Sequence, residues 1–308
     1  MNPTLQKYNS LLFICFLLLD MLLPCAAQNT TRKQKQTDQS ETMHYGWFAA
    51  DAGYNILLED YDDLSTLGGG RVSVSFGYEL QRDGFYFSLG AAASFWTSSA
   101  KTEAALIEQP MRDTQGKNMT YKFNLAQGDE LSYGLFVSAP IVFGYTFRGW
   151  YFGGGARVGY HLLAENISER KYSTSANYVQ YFEDFENMPN HFYSDYKASS
   201  HDKLSMTLPV SVLVEGGYNI LYGQSQRSYK KHSILRIGFY AEYGFLKAFN
   251  NEQDLPYFEV NKEHPTQIDI YSYYTQKSTK SNFVFPLSAG IKVTYMLRIP
   301  TRQCNCYN

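Results

Sequence analysis

The feature that most constrains the fold of this chain is a long run in which apolar residues strictly alternate. From Leu131 to Phe147 every second residue is apolar, and the residues between them are mostly small or polar. Because successive side chains of a β-strand point to opposite faces, this pattern predicts a strand with one apolar face. At about 3.3 Å per residue, such a strand is long enough to cross a membrane at a tilt.

The same alternation recurs along the chain and predicts eight strands. They are Gly46–Leu58, Val72–Leu80, Phe85–Phe95, Leu131–Phe147, Trp150–Ala164, Leu204–Tyr222, Leu235–Phe245 and Phe283–Leu297. Three prolines fall inside these segments on the inward phase, where each removes a ladder hydrogen bond, so we expect bends or bulges there. These prolines are Pro140, Pro209 and Pro286.

The connections between the strands differ in length in a regular way. Two alternate joints are tight and have hairpin turn chemistry: Arg82-Asp83-Gly84 and Arg148-Gly149. The third joint of that set, 223–232, is about ten polar residues long, and the intervening joints at 59–68, 97–130, 166–203 and 247–282 are longer than the two tight turns. Short turns at one end and long loops at the other are typical of outer-membrane barrels. The predicted fold is therefore an all-β, antiparallel, up-and-down transmembrane β-barrel of eight strands, or ten if a long loop contains another hairpin.

The composition excludes nucleic-acid binding and is compatible with a membrane barrel. The formal net charge of −2 gives no electrostatic footprint for nucleic acid. With 17% aromatic and 18% charged residues, the chain suits a membrane barrel or a β-sandwich. Composition does not separate those two folds, but the segregation of loop lengths favours the barrel.

The N-terminus has the pattern of a secretory signal. Lys7 precedes an apolar run from Leu11 to Leu23, and small residues at Ala26 and Ala27 follow. The run of thirteen residues is too short for a transmembrane anchor, which needs about 20 apolar residues. A lipoprotein signal ending at Cys25 is the alternative, and Pro24 is a poor residue before such a cysteine.

These features predict the organisation of the chain and its destination. We expect a cleaved signal peptide at 1–27, a flexible periplasmic leader at 28–43, the barrel at 44–298 and a periplasmic tail at 299–308. Export then places the protein in the outer membrane of a Gram-negative bacterium. After cleavage only Cys304 and Cys306 remain, and two cysteines in a polar tail give no disulfide framework.

The inward phase of the predicted strands carries charged residues that suggest an internal network. Its members are Asp51, Arg71, Glu79, Arg157, His161, Glu165, Glu215, Arg236, Glu242, Lys292 and Arg298. An eight-stranded barrel is only wide enough for its side chains to fill it, so we expect a salt-bridged plug. Asp51, Arg157, Glu215 and Lys292 are expected at one depth, and inward glycines are expected to make room for the long side chains. The alternative is a wet pore in a larger barrel, a narrow porin for small solutes.

A lipid-modifying enzyme is the second alternative. His161 and Glu165 share the predicted inward face, and Ser168 lies just beyond, which are the residue types of a hydrolase. The remaining histidines show no metal-ligand spacing. We therefore expect no metal, no cofactor and no enzymatic activity.

The long joints are rich in tyrosine, which gives a large amphipathic contact area at low entropic cost. The candidate contact residues for an extracellular ligand or protein partner are Tyr178, Tyr181, Tyr193, Tyr196 and Tyr273. The alternative is that these stretches continue the strands beyond the membrane and pack on one another.

The last strand resembles the assembly signal of outer-membrane barrels, in which a polar residue and a glycine precede alternating hydrophobic positions. Ser288, Gly290, Val293 and Tyr295 occupy these places, although thirteen residues follow Tyr295 where the signal usually ends the chain. With this segment, the span 44–298 resembles the porin-like outer-membrane β-barrel domain family of Gram-negative bacteria, of the OmpA-like and PorT-like kind. The resemblance implies outer-membrane lipid and the barrel-assembly machinery as partners, but it implies no particular ligand.

Overall fold

The computed structural model describes residues 42–59, 64–112, 116, 118–177, 193–222, 233–246, 248–249, 258–261, 267–275 and 284–299. The expectations for the signal peptide, most of the leader, the cysteine-containing tail and the joint 223–232 lie outside these residues. The described strands are β1 Met43–Glu59, β2 Leu64–Arg82, β3 Phe85–Thr102, β4 Ala105–Arg112, β5 Asn118–Leu125, β6 Gly128–Phe147, β7 Trp150–Asn177, β8 Tyr193–Lys203, β9 Val210–Tyr222, β10 Ser233–Gly244, β11 Phe258–Val260, β12 Ile268–Ile270 and β13 Val284–Arg298.

Eight of these strands pair in a closed antiparallel ring. The order around the ring is β1-β2-β3-β6-β7-β9-β10-β13, and β13 pairs with β1 from Tyr45 opposite Arg298 to Glu59 opposite Val284. Between β7 and β9 the pairing runs from Trp150 to Val158. Each ring strand follows its neighbour in sequence order, so the predicted all-β, eight-stranded, up-and-down barrel is confirmed.

The two tight joints form two-residue hairpins at one end of the barrel. Asp83 and Gly84 have φ angles of 52° and 86°, and Arg148 and Gly149 have φ angles of 50° and 89°. Positive φ at both central residues is the geometry of a type I′ turn, whose twist matches that of the flanking strands. The sequence prediction of hairpins at these joints is confirmed, and we call this end of the barrel the short-turn end.

At the opposite end the structure has strands where loops were predicted. The joint 97–130 contains the β4–β5 hairpin, and β5 pairs with the upper part of β7 from Thr120 opposite Asn177 to Leu125 opposite Tyr172. On its other edge, the same part of β7 pairs with β8. We call β4, β5, the part of β7 after Leu163, and β8 the extension. Its hairpin does not enter the ring, so the strand count of the barrel stays at eight.

One predicted strand is wrong at its start. The segment from Leu204 was expected to run unbroken to Tyr222, but β8 ends at Lys203 and β9 begins at Val210. Pro209 directly precedes β9, where its missing N–H costs no ladder hydrogen bond, and its carbonyl accepts the N–H of Gly159 at 3.0 Å. Pro140 and Pro286 lie within β6 and β13, as predicted.

The ring separates an apolar outer face from a polar inner face. Phe76 and Phe239 are 64% and 71% exposed, whereas Arg71 and Arg236 on the same two strands are 4% and 3% exposed. We call the outer face the apolar belt; it comprises the outward-facing residues of 46–58, 72–80, 85–95, 135–147, 150–163, 210–220, 235–245 and 285–297. These described outward positions carry no Asp, Glu, Lys or Arg.

No helix among the described residues is long and apolar enough to cross a membrane.

Inward glycines make room for aromatic rings, which differs from the expectation that they accommodate charged side chains. A Cβ on Gly90 would lie 2.5 Å from the ring of Trp47, and one on Gly153 would overlap the hydroxyl of Tyr86. The rings fill the barrel near the short-turn end, where Tyr45, Trp47 and Met296 pack together. The alternation along each strand predicts that these glycines face inward, but it does not predict which side chain fills the space beside them.

Candidate functional site

The innermost ion pair joins β2 to β10 near the short-turn end. Both terminal nitrogens of Arg236 donate to the carboxylate of Glu79, each at 3.0 Å. The Nε of Arg236 donates to Asn219 at 2.9 Å, and the Nε2 of Gln81 donates to Glu79 at 2.6 Å. Because both ionic side chains are at most 3% exposed, their charges are compensated by each other and by these neighbours.

Two tyrosine rings enclose the same guanidinium. The centroids of Tyr86 and Tyr151 lie 4.9 Å and 4.3 Å from the Cζ of Arg236. The negative faces of the rings attract the cation, and the effect grows when water is excluded. The sequence assigned Arg236 to the interior, but it gave no sign of the enclosing rings, because both tyrosines come from strands distant in sequence.

A second pair lies nearer the middle of the barrel. The Nζ of Lys292 lies 2.7 Å from the Oε2 of Glu215, and the hydroxyl of Tyr86 donates to the other carboxylate oxygen at 3.5 Å. Asp51 faces Lys292 across the β1–β13 ladder and is 6% exposed, but it forms no ion pair with a described residue. Of the residues expected at one depth, the structure therefore joins Lys292 to Glu215 only.

A third group of charges lies one level further from the short-turn end. Arg71 Nη1 and Arg157 Nη1 approach the same Oε2 of Glu242, at 2.7 Å and 3.0 Å. The hydroxyl of Ser211 donates to the Oε1 of that carboxylate at 2.6 Å. Arg157 was expected beside Glu215, but its partner is Glu242, because Arg157 sits opposite Ser211, four residues before Glu215 on β9.

Two further members of the predicted network have other surroundings. The ring of His161 lies between those of Trp96 and Phe136, with centroids 6.4 Å and 5.4 Å away. Arg298 lies half-buried at the short-turn end, opposite Tyr45. His161 forms no ion pair with the buried carboxylates described above.

Glu165 does not belong to the interior, which corrects the prediction. The β6–β7 register shifts so that Leu135 pairs with Leu163 and Phe136 pairs with His161, which leaves Leu162 as an extra residue. Such a bulge exchanges the inward and outward phases of the strand beyond it. Glu165 therefore faces outward, and the predicted placement of His161 and Glu165 on one inward face is wrong.

Glu165 instead forms a small polar cluster just beyond the apolar belt. Tyr133 donates to its Oε2 at 2.5 Å, and the Nε2 of His201 lies 2.8 Å from the same oxygen. The hydrogen bond from Tyr133, followed by that from His201, lowers the pKa of Glu165 below its ordinary value. The cluster ties β6, β7 and β8 together at the base of the extension.

The predicted assembly segment lies in β13 with alternating orientation. Ser288 faces inward, donates to Asn55 at 2.8 Å and lies 3.5 Å from Arg71. Gly290 faces Gly53 across the β1–β13 ladder. Val293 and Tyr295 are 42% and 44% exposed on the apolar belt. Recognition of this segment by the barrel-assembly machinery stays a prediction.

The barrel is covered at the end opposite the short turns by residues that the sequence analysis missed. Glu130, 3% exposed, accepts the backbone N–H of Tyr273 at 3.0 Å, the hydroxyl of Ser272 at 3.4 Å and the side-chain amide of Asn166 at 3.1 Å. Asp202 accepts the N–H of Ser272 at 2.7 Å. These contacts hold the segment 267–275, which we call the cap. Because Glu130 and Asp202 are isolated acidic residues in segments predicted as loops, the sequence did not indicate that they hold the cap.

Apolar packing holds the cap in the same place. Tyr274 is 3% exposed and its ring centroid lies 4.8 Å from that of Phe249. Ile268 and Ile270 pack against the inner face of the extension, together with Phe123. The cap therefore continues the apolar packing of the barrel core at the end opposite the short turns.

Two of the predicted contact tyrosines take part in this packing. Tyr196 stacks on Tyr172 with centroids 5.5 Å apart, and Tyr273 packs half-buried against the core beneath the cap. Burial of the phenol raises the pKa of Tyr172 above its ordinary value. Tyr178 and Tyr181 lie outside the described residues, as does the side chain of Tyr193.

Within the described residues, no group of three or more His, Cys, Asp and Glu side chains is placed to hold a metal ion.

Comparisons with known proteins assign the chain to no family. No family model and no curated protein matches the chain. Among solved structures, the chain is similar to Ail, the attachment invasion locus protein of Yersinia pestis, crystallised with the heparin analogue sucrose octasulfate. The two chains are 10% identical with a TM-score of 0.23, and the match covers 82% of this chain and 98% of Ail. The fold assignment therefore rests on the strand pairing itself.

Proposed function

We propose that this chain is a small outer-membrane β-barrel protein without enzymatic activity, whose closed interior makes it a rigid base for surface contacts. The observation that carries the proposal is the combination of an uncharged apolar belt outside the ring with ion pairs inside it. A barrel dissolved in water requires the opposite distribution, whereas a barrel in lipid requires this one.

The orientation follows from the lengths of the connections. Outer-membrane barrels have short turns in the periplasm and longer loops outside the cell. In this chain the hairpins at Asp83 and Arg148 are then periplasmic, and the extension and the cap are extracellular. The predicted signal peptide and the assembly segment in β13 fit the same route of export.

A closed interior is favoured over a narrow porin for small solutes. Eight strands leave room for side chains but for little else. Three charged groups occupy successive levels, around Glu79, Glu215 and Glu242, and the cap covers the outer mouth. The internal ion pairs would then serve to keep the barrel rigid.

A surface-contacting role is favoured over lipid hydrolysis. The extension projects beyond the belt with apolar residues such as Tyr121 and Phe123 packed inward, and among the described strands β4 pairs only with β5. Tyr178, Tyr181 and Tyr193 remain candidate contact residues for an extracellular ligand or protein. The hydrolase alternative loses its support because Glu165 and His161 lie on opposite faces of β7.

The orientation can be tested by labelling intact cells. In a full-length background with Cys304 and Cys306 replaced by serine, Glu108→Cys places a thiol on exposed β4, and Arg148→Cys places one in a short turn. A membrane-impermeant maleimide is expected to label the first variant in intact cells and the second only after permeabilisation. Labelling of both in intact cells, or of neither, would overturn the proposed membrane orientation.

A further inference from the structure

A cavity of about 60 Å³ lies inside the barrel beside the charged group around Glu242. One part of its lining is polar and includes Arg71, Arg157 and Ser138, and another part is apolar and includes Trp96 and Met206. A water molecule needs about 10–15 Å³ of such space. The cavity therefore has room for a few waters or for one small anionic group.

Several buried donors that line the cavity have no acceptor. Arg157 is 5% exposed, and its Nε and Nη1 donate no hydrogen bond; the Nη1 makes only the ion pair with Glu242. The Nε of Arg71 and the Oγ of Ser138 also lack partners in the described structure. Buried polar groups in proteins are nearly always paired, so this concentration of free donors at one cavity needs an explanation.

The charges around the cavity favour an anion. Its lining contains two guanidinium groups and one carboxylate, and both arginines approach the same oxygen of that carboxylate. The other oxygen of Glu242 already accepts the hydroxyl of Ser211. A monovalent anion with two acceptor oxygens would place a second negative charge beside the two guanidinium groups of the lining and accept the free donors of Arg157.

The barrel wall is unpaired next to this cavity. Gly159 donates to Pro209 at 3.0 Å and Leu204 donates to Ala164 at 2.9 Å, but no backbone hydrogen bond joins the fully described segments 160–163 and 205–208 between them. We call this interruption the seam. Thr207 turns its N–H away from the seam toward Ala248, at 3.0 Å.

The seam joins the lining of the cavity to the apolar belt. His161 from one side of the seam and Met206 from the other both line the cavity. On the outer face, Leu162 and Leu208 beside the seam are 56% and 52% exposed. An apolar chain that leaves the cavity here would meet these leucines and then lipid.

We infer that the cavity binds the carboxylate of a single-chain amphiphile, whose alkyl chain passes through the seam and lies along the apolar belt. The head group accepts hydrogen bonds from Arg157 and from Ser138, and Arg71 supplies further positive charge. The cavity is too small for the chain itself, which is why the seam is required. This inference rests on the proposed membrane location, since the seam must face lipid.

The test is calorimetric titration of the full-length protein, purified in an uncharged detergent at pH 8, with laurate, dodecanol and acetate. Laurate is expected to bind one per chain, and dodecanol about tenfold or more weakly, because it lacks the charge that strengthens hydrogen bonds. Arg157→Lys keeps the charge but loses the fork of donors, and it is expected to weaken laurate binding about tenfold. Arg236→Lys, the same change at an arginine outside the cavity, is the matched control and should bind as the wild type does.

Ser138→Ala is a second variant that keeps all ion pairs and is expected to weaken laurate binding about threefold. Equal binding of laurate and dodecanol, or wild-type affinity in both Arg157→Lys and Ser138→Ala, would overturn the inference. Acetate binding as tightly as laurate would show a site for free small anions and would overturn the assignment to an amphiphile. A failure of the proposed membrane orientation would appear separately, in the labelling of intact cells.

Discussion

Replacing Glu79 with glutamine removes the charge that compensates Arg236 while keeping the shape of the side chain. Because the side chains of this pair are only 2% and 3% exposed, the arginine cannot recover its hydration without opening the barrel. Removing one member of a buried ion pair costs about 3–5 kcal/mol. Arg236 would keep its bond to Asn219 and its contact with the ring of Tyr151, so we expect a loss near the lower limit, about 3 kcal/mol.

The assay is urea unfolding in lipid vesicles, followed by tryptophan fluorescence. Glu169→Gln is the matched control, because this glutamate is exposed on the extension and its replacement should change the free energy of unfolding by less than about 0.5 kcal/mol. The double variant Glu79→Leu/Arg236→Met should lose much less free energy of unfolding than the single variants Glu79→Leu and Arg236→Met lose together, because it leaves no unpaired charge. A Glu79→Gln protein as stable as the control, or additive effects in the double variant, would refute the argument.

Three further changes test other parts of the molecule. Glu215→Gln leaves its lysine partner uncompensated and should cost about 3 kcal/mol in the same unfolding assay; an unchanged midpoint would mean that water reaches this level. Gly90→Ala places a methyl group 2.5 Å from the ring of Trp47 and should cost about 1–3 kcal/mol by overpacking, whereas a neutral effect would mean that the ring moves freely. Glu130→Gln removes the charged acceptor of the cap and should speed proteolysis within 267–275 on intact cells, with the barrel itself still protected; an unchanged cleavage rate would mean that apolar packing alone holds the cap.

The strands and their faces could be predicted because each depends on local sequence. Alternation of period two identifies a strand and both of its faces, and Asp83-Gly84 has the positive-φ chemistry of a type I′ hairpin. For that reason the alternation places Arg71, Glu79 and Arg236 on the inner face without knowledge of the strand pairing, and all three are buried in the structure.

The prediction failed where the phase of a strand depends on its neighbour. The bulge at Leu162 is defined by the register with β6, and two adjacent leucines in an apolar segment do not reveal it. Every residue of β7 beyond it changes face, which moved Glu165 from the predicted interior to the outer surface. A hairpin in a long joint was predicted only as an alternative for a related reason, because the alternation of β4 and β5 is short and their apolar face packs on the extension.

The partners within the interior also could not be read from the chain. Depth along each strand was estimated from the nearest turn, but barrel strands are tilted and staggered, so equal counts do not give equal levels. Arg157 therefore pairs with Glu242 and not with Glu215. The orphaned donors at the cavity depend on these same distances and have no signature in the sequence.

The most direct test of a closed barrel is the single-channel conductance of the full-length protein, purified from membranes and inserted in a planar bilayer. We expect no steady current, because three levels of ion-paired side chains and the cap fill the interior. A matched recording on Glu130→Gln should also be silent, since the ion pairs around Glu79, Glu215 and Glu242 lie beneath the cap. A steady, ion-selective current through the wild-type protein would contradict the closed interior and would instead support a wet, narrow pore.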